Sequence, residues 1–225
     1  MPTPPPRYRL VVFDLDGTLV DSLEDLAAAG NHAMRAVGRP AHPIPAYRRL
    51  AGQGLASLIR DALGPDHQHL FDDAIAAQRA FYAEHAFDHT RLFDGMADLL
   101  AGLKAAGVAT AVLSNKPHDN TLSVVARLCG AHAFEDVAGQ RPRLAPKPAP
   151  DGLLALLDRL GVDAADAAMV GDTAADMDAA AASGVEPIGV TWGFRDAAEL
   201  HAHGARELCD TVAELEAVLH RSLDA

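Results

Sequence analysis

The sequence predicts an α/β fold: a doubly wound, mostly parallel sheet with an inserted helical cap domain. Three observations carry that expectation. Short apolar runs alternate with helical patterns along the 225-residue chain. Three of those runs end abruptly in polar turns, DLDGT, SNKP and GDTAAD, as strands do where a parallel sheet opens into its ligand crevice. From about Ser22 to Arg91 the pattern changes to a stretch rich in Ala, His and Arg with helical spacing and no convincing strand, which reads as an insertion lying over that crevice.

Each element has its own warrant. Residues 1–7 read as a flexible leader, because four prolines in the first six positions suit neither a sheet nor a helix interior. RLVVF at 9–13 is the first strand, and the helical cap is expected over 21–91, leaving 1–20 and 92–225 as the core. Met96, Leu99, Leu100 and Leu103 follow a helical period that ends before Gly107, and Leu153, Leu154, Leu157 and Leu160 do so before Gly161. TAVL at 110–113, AAMV at 167–170 and IGVT at 188–191 supply further strands. DAAAASG at 178–184 reads as a helix packed closely on the sheet, and Thr211 with Glu214 as a capping box that opens the last helix.

Composition narrows the function. With 49% apolar residues the chain can bury a sizeable core. Its 19 Lys and Arg against 31 Asp and Glu give a net charge of -12, a sign that repels phosphate backbones and anionic lipid, so neither nucleic acid nor membrane is an expected partner. No apolar run reaches the ~18 residues of a membrane span, and MPTPPPR lacks the apolar stretch of a signal peptide, so the expected address is cytoplasmic. Cys129 and Cys209 read as thiols of a reduced compartment. The 11 histidines scatter without ligand spacing.

The strand-end clusters carry the chemistry. Asp14 and Asp16 flank one leucine, and like charges so close push one pKa up unless a cation neutralises them. The pair therefore suits a metal site, or an acid beside a nucleophile; the plainer alternative is a turn ending a strand. Asp172 ends another strand, and Asp176 stands in the first turn of the next helix, where an acid also complements the helix dipole. Oxygen ligands from separate strand ends suit a hard cation such as Mg²⁺, and the absence of clustered Cys or His disfavours zinc. Ser114, Asn115 and Lys116 lie at a third strand end, with a solvated turn as their plain alternative. Lys147, extended by Pro148, is the counter-charge that a site of carboxylates and phosphate requires.

Taken in order, DLDGT (14–18), SNKP (114–117), Lys147 before a proline and GDTAAD (171–176) resemble the motifs of the haloacid dehalogenase superfamily, whose core is Rossmann-like. The resemblance implies that Asp14 is the nucleophile and Asp16 the acid/base, with Ser114 and Lys147 holding the transferring phosphoryl group. It further implies that Asp14, the Asp16 carbonyl and Asp172 bind Mg²⁺, supported by Asp176. A carbon–halogen bond needs no proton on its leaving group, so Asp16 argues for phosphoryl transfer over dehalogenation. DLDGTLVDS, LFDGMADLLAGLKAAGVATAVLSNKP, MVGDTAADMDAAAASGVEPIGVTWGF and, in the cap, AGQGLASLIRDAL are similar to the phosphoglycolate phosphatase branch.

The implied substrate is a small phosphorylated metabolite, first of all 2-phosphoglycolate, handled by a monomer or homodimer. Thr18, Asn115, Lys116 and, in the cap, Gln53 are the candidate substrate-binding residues, and Arg48, Arg49 or Arg60 could meet a substrate carboxylate. Pyrophosphate or a sugar phosphate, and transfer to a sugar by a β-phosphoglucomutase-like phosphomutase, are alternatives. A non-catalytic binding protein and a haloacid dehalogenase rank below them.

Overall fold

The computed structural model describes residues 7–130 and 132–220. The chain runs β1 (Leu10–Phe13), β2 (Val20–Asp21), α1 (Leu23–Ala36), α2 (Tyr47–Leu50), α3 (Leu55–Leu63), α4 (Phe71–His85) and β3 (Arg91–Leu92). It continues through α5 (Met96–Ala105), β4 (Ala109–Pro117), α6 (His118–Leu128), β5 (Asp136–Gln140), α7 (Asp151–Leu160) and β6 (Ala167–Gly171). It closes with α8 (Ala174–Ser183), β7 (Glu186–Val190), α9 (Ala197–Ala202), β8 (Glu207–Cys209) and α10 (Val212–Leu219).

Six strands form one sheet in the order β5-β4-β1-β6-β7-β8, with every pairing parallel. β1 is central because LVVF is apolar on both faces and can be covered from both sides. Val11 and Phe13 face one cluster with Leu99 and Leu103 of α5, Val124 of α6 and Leu215 of α10. Leu10 and Val12 face the opposite one with Leu153 and Leu156 of α7 and Ala180 of α8. Each such buried side chain contributes roughly 1.5–3 kcal/mol, so the sheet is a rigid platform. Phe13 pairs with both Val112 and Val170, which sets the residues after β1, β4 and β6 at one edge of the sheet. The alanine stretch of α8 lies against β6 and β7, as its small side chains allow.

Helices α1, α3 and α4 pack on one another around Ala27, Met34, Tyr47, Ile59 and Ala74. The chain enters and leaves this layer through an antiparallel ribbon in which Val20 pairs with Leu92 and Asp21 with Arg91. An Arg91–Asp21 ion pair of 2.7 Å closes it. The buried Asp25 carboxylate fixes the same crossing, accepting from the His89 and Thr90 amides and from the Thr90 hydroxyl at 2.6 Å.

Several expectations are corrected. The leader lies outside the described residues except for Arg7, which is anchored: its guanidinium donates to both oxygens of Glu186, at 2.7 and 2.8 Å, and covers the Tyr8 ring. The ribbon strands β2 and β3 and the edge strands β5 and β8 lack the apolar run of a buried strand, and the sequence reading missed them. β4 continues through SNKP to Pro117. Thr211 accepts from the Glu214 amide, but Glu214 reaches back to the Asp210 amide instead of completing the expected box.

Candidate active site

The carboxyl edge of the sheet collects the acidic motifs. Asp14 follows β1, and its amide donates to Val170 O of β6 at 2.9 Å. Asp172 follows β6, fully buried, accepting from Thr18 Oγ1 at 2.9 Å and from the Phe194 amide at 2.7 Å. Gly17, at φ +89°, lies so close that any Cβ there would collide with the Asp172 carboxylate. Asp176 divides its two oxygens. Oδ2 accepts from the Thr173 amide and hydroxyl, completing a capping box at the start of α8, while Oδ1 takes Lys147 Nζ at 2.6 Å. Lys147 Nζ also donates to Asp14 Oδ1 at 2.8 Å and to Leu113 O at 2.6 Å, so all three ammonium protons are committed.

Oxygens of Asp14, Asp172 and Asp176 lie within 4.8 Å of one another. Burial, and then the negative charge of Asp176, push Asp14 up to about 7, although Lys147 pulls it down. Burial and the charges of Asp14 and Asp176 raise Asp172 well above the ordinary carboxylate value. Burial by itself would lower Lys147, but Asp14 and Asp176 outweigh it and hold the ammonium protonated. Fully ionised, three carboxylates against one ammonium would leave two negative charges in a buried site, which is why burial raises Asp14 and Asp172 when no cation is bound. An oxygen-only donor set with that deficit fits a hard divalent cation.

Asp16 turns away from this cluster. Its carboxylate receives Lys116 Nζ at 2.9 Å on both oxygens and Ser22 Oγ at 2.7 Å. Burial alone would lower Lys116; the Asp16 and Tyr82 neighbours raise it. The Asp16 carboxylate and Lys116 share a cavity wall with Asp14, Ser114, Asn115, Pro117 and Asn120, and α1, α3, α4 and the loop at Gly52 supply the facing wall through Leu26, Gly52, Leu58, Gln78 and Tyr82. Its volume is about 50 Å³, room for a few water-sized groups.

The candidate binding residues fare unequally. Asn115 Nδ2 donates to Gly52 O at 3.1 Å and Lys147 O at 2.9 Å, and its Oδ1 accepts the Lys147 amide at 2.8 Å. Its amide is therefore spent tying the Gly52 loop and the lysine segment to β4. Thr18 is spent on Asp172. Gln53 is exposed and is not on the cavity wall, because its glycine neighbours, not its side chain, face the core. Arg48 instead donates to Gly193 O, and Arg195 in return donates to the Arg48 and Ala51 carbonyls. Arg60 stacks on Phe71, 4.0 Å from the ring centroid, where its charge stays hydrated. Neither Arg48, Arg49 nor Arg60 lines the cavity.

Sequence reasoning missed two contributors. The loop after β7 brings the Phe194 amide to Asp172 and Trp192 Nε1 to Thr18 O at 3.1 Å; no side-chain chemistry announces a backbone donor. Ala74, Gln78 and Tyr82 form the buried stripe of α4, and their spacing of four residues was a readable signal: an amide and a phenol at positions expected to be apolar.

The haloacid dehalogenase-like hydrolase family model matches residues 8–184. A phosphoglycolate phosphatase of Pseudomonas putida is 35% identical over 213 residues, 92% of this chain and 78% of that protein. Another, of Chromobacterium violaceum, is 34% identical over 93% of this chain and 95% of its own length. A crystal structure described as a predicted phosphoglycolate phosphatase of Haemophilus somnus superposes with a TM-score of 0.88 at 26% identity, covering 94% of this chain and 98% of that one.

Proposed function

The chain belongs to the haloacid dehalogenase-like hydrolases, and from that membership we propose that it is a Mg²⁺-dependent phosphatase hydrolysing 2-phosphoglycolate to glycolate and phosphate through an aspartyl-phosphate on Asp14. The observation that carries the reading is the position of Asp14: on the cavity wall, with one oxygen on Lys147 and within reach of Asp172 and Asp176. The names of the relatives point to the substrate. Cytoplasmic residence, proposed with it, accords with the finding that no helix among the described residues is long and apolar enough to cross a membrane.

In this mechanism an Asp14 oxygen attacks phosphorus in line as the bond to the ester oxygen breaks. Asp16, which is paired with Lys116 in the free protein, must leave that pair and take up a proton as the substrate binds; it then gives that proton to the departing oxygen and accepts one from the water that attacks the aspartyl-phosphate. Inorganic phosphate leaves, and the Asp14 carboxylate is regenerated. Ser114 Oγ accepts from the Lys116 amide at 3.2 Å and keeps its own proton for a phosphoryl oxygen. Lys147 orients Asp14 and balances the charge around it. Asp14, the Asp16 carbonyl and Asp172 would hold the cation with Asp176 in support, and the cation would supply charge neutralisation to the phosphoryl oxygens when bound. We propose residues 21–91 as the cap that excludes water, with its loop at Gly52 latched by Asn115. A phosphate-release screen across phosphoglycolate, pyrophosphate, hexose phosphates and nucleotides, with and without Mg²⁺, tests the reading; no metal-dependent release from any of them overturns it.

A further inference from the structure

The cavity wall supplied by α4 holds a buried polar group with no use in the free protein. Tyr82 is 4% exposed; its hydroxyl meets no acceptor for its proton in hydrogen-bond geometry, although the Lys116 ammonium lies beside its oxygen. A buried donor left unsatisfied costs stability, and burial keeps this phenol protonated. One turn earlier Gln78, also 4% exposed, lines the same cavity. Across from them Lys116 Nζ stands 4.8 Å from the centre of the Tyr82 ring, and Asn120 completes the polar groups there. Leu26, Leu55 and Leu58 are the large apolar side chains of the lining, and Asp14, Asp16 and Ser114 stand at its catalytic end. Donors dominate this end of the cavity, beside an ammonium already shared with Asp16. A small ligand group placed there can accept the hydrogen bonds that the phenol and the amide have to give.

We infer that Tyr82, with Gln78, is the specificity-determining element of the site, donating to a carboxylate carried by the substrate one carbon beyond the ester oxygen. The inference rests on the phosphatase reading and deepens it, naming the substrate class as phosphate esters of short hydroxy acids. The arginines of the cap do not serve this end, since Arg48 and Arg49 face a separate groove with Arg195.

The test compares 2-phosphoglycolate with ethyl phosphate, which keeps the ester and replaces the carboxylate by a methyl group, in the wild type and in Tyr82→Phe and Gln78→Leu. The expected result is a fall in kcat/KM for phosphoglycolate of about 10- to 100-fold in Tyr82→Phe, mostly through KM, with ethyl phosphate turnover unchanged. The phenylalanine keeps the ring against Lys116, so the variant should melt close to the wild type. Equal losses on both esters, no loss on either, or a wild type that treats the two alike would overturn the inference and leave the phosphatase reading standing. A wild type inactive on both esters with Mg²⁺, but releasing phosphate from another ester in the screen, would also overturn it and spare the phosphatase chemistry. Silence toward every ester would end both.

Discussion

Replacing Lys147 by methionine keeps the volume of the side chain and removes its charge. The ammonium lies 2.8 Å from Asp14 Oδ1, 2.6 Å from Asp176 Oδ1 and 2.6 Å from Leu113 O, and is only 4% exposed. Without it, three carboxylates crowd within 4.8 Å in a place water hardly reaches. Breaking a buried ion pair from one side costs about 3–5 kcal/mol, and a chain of this size loses roughly 2–4 °C of Tm per kcal/mol. Lys147→Met should therefore melt about 6–20 °C below the wild type in EDTA near pH ~8. The gap should narrow when Mg²⁺ is added, since a cation replaces the missing charge. It should narrow too as the pH falls and Asp14 is protonated. A difference below about 3 °C in EDTA, the equivalent of roughly 1 kcal/mol, would show that the lysine does not balance these acids and would refute the electrostatic argument.

The acid cluster gives the metal-free protein a definite pH dependence. Folding raises Asp14 from the ordinary 3.8 to about 7, so the folded state binds that proton more tightly. The stability this confers is complete below the lower value and is lost as pH rises through the upper one. Denaturation in EDTA should show a decline of roughly 4 kcal/mol over that window, reversed by Mg²⁺; a rise over the same window would contradict it. Asp25 behaves oppositely: despite its burial, the bonds from Thr90 and His89 hold its carboxyl below the ordinary value, so its contribution is lost only as pH falls through that lowered value. Asp25→Ala, which leaves the His89 and Thr90 donors of the crossing unpaired, should cost about 3 kcal/mol in urea denaturation, and a change under about 0.5 kcal/mol would show the anchor to be dispensable. Gly17→Ala should push Asp172 aside and weaken Mg²⁺ affinity by about 10-fold or more, read by calorimetry; unchanged affinity would remove Asp172 from the proposed ligands.

How legible this was depended on where each residue gets its constraint. β1, β4, β6 and β7 announce themselves because a strand covered on both faces must be apolar. Asp14, Asp172 and Asp176 could be gathered from sequence because strand ends in a parallel sheet share one edge. β5 and β8 lie at the sheet edges, where DVAGQ and ELC need no apolar run. The stretch between β2 and β3 was readable as helical, yet its side chains were not. Gln53 sat between glycines and invited a role that the turn at Gly52 and Gly54 gives to the backbone. Gln78 and Tyr82 carried the useful polar groups on an unremarked helix. Asn115 and Lys116 lay in a motif and so suggested substrate contacts; both line the cavity, and their side chains also bond to Lys147 and Asp16. Pairing across more than 30 residues, as between Asn115 and Lys147 at |i−j| = 32, has no local signature.

The account stands on covalent phosphoryl transfer to Asp14. Acid quenching of the enzyme mixed with excess 2-phosphoglycolate and Mg²⁺ within one turnover, followed by peptide mapping, measures it directly. The account predicts a hydroxylamine-labile phosphoryl group on the Asp14 peptide, absent from Asp14→Asn. Phosphate release with no label on Asp14, or full turnover by Asp14→Asn, would contradict it.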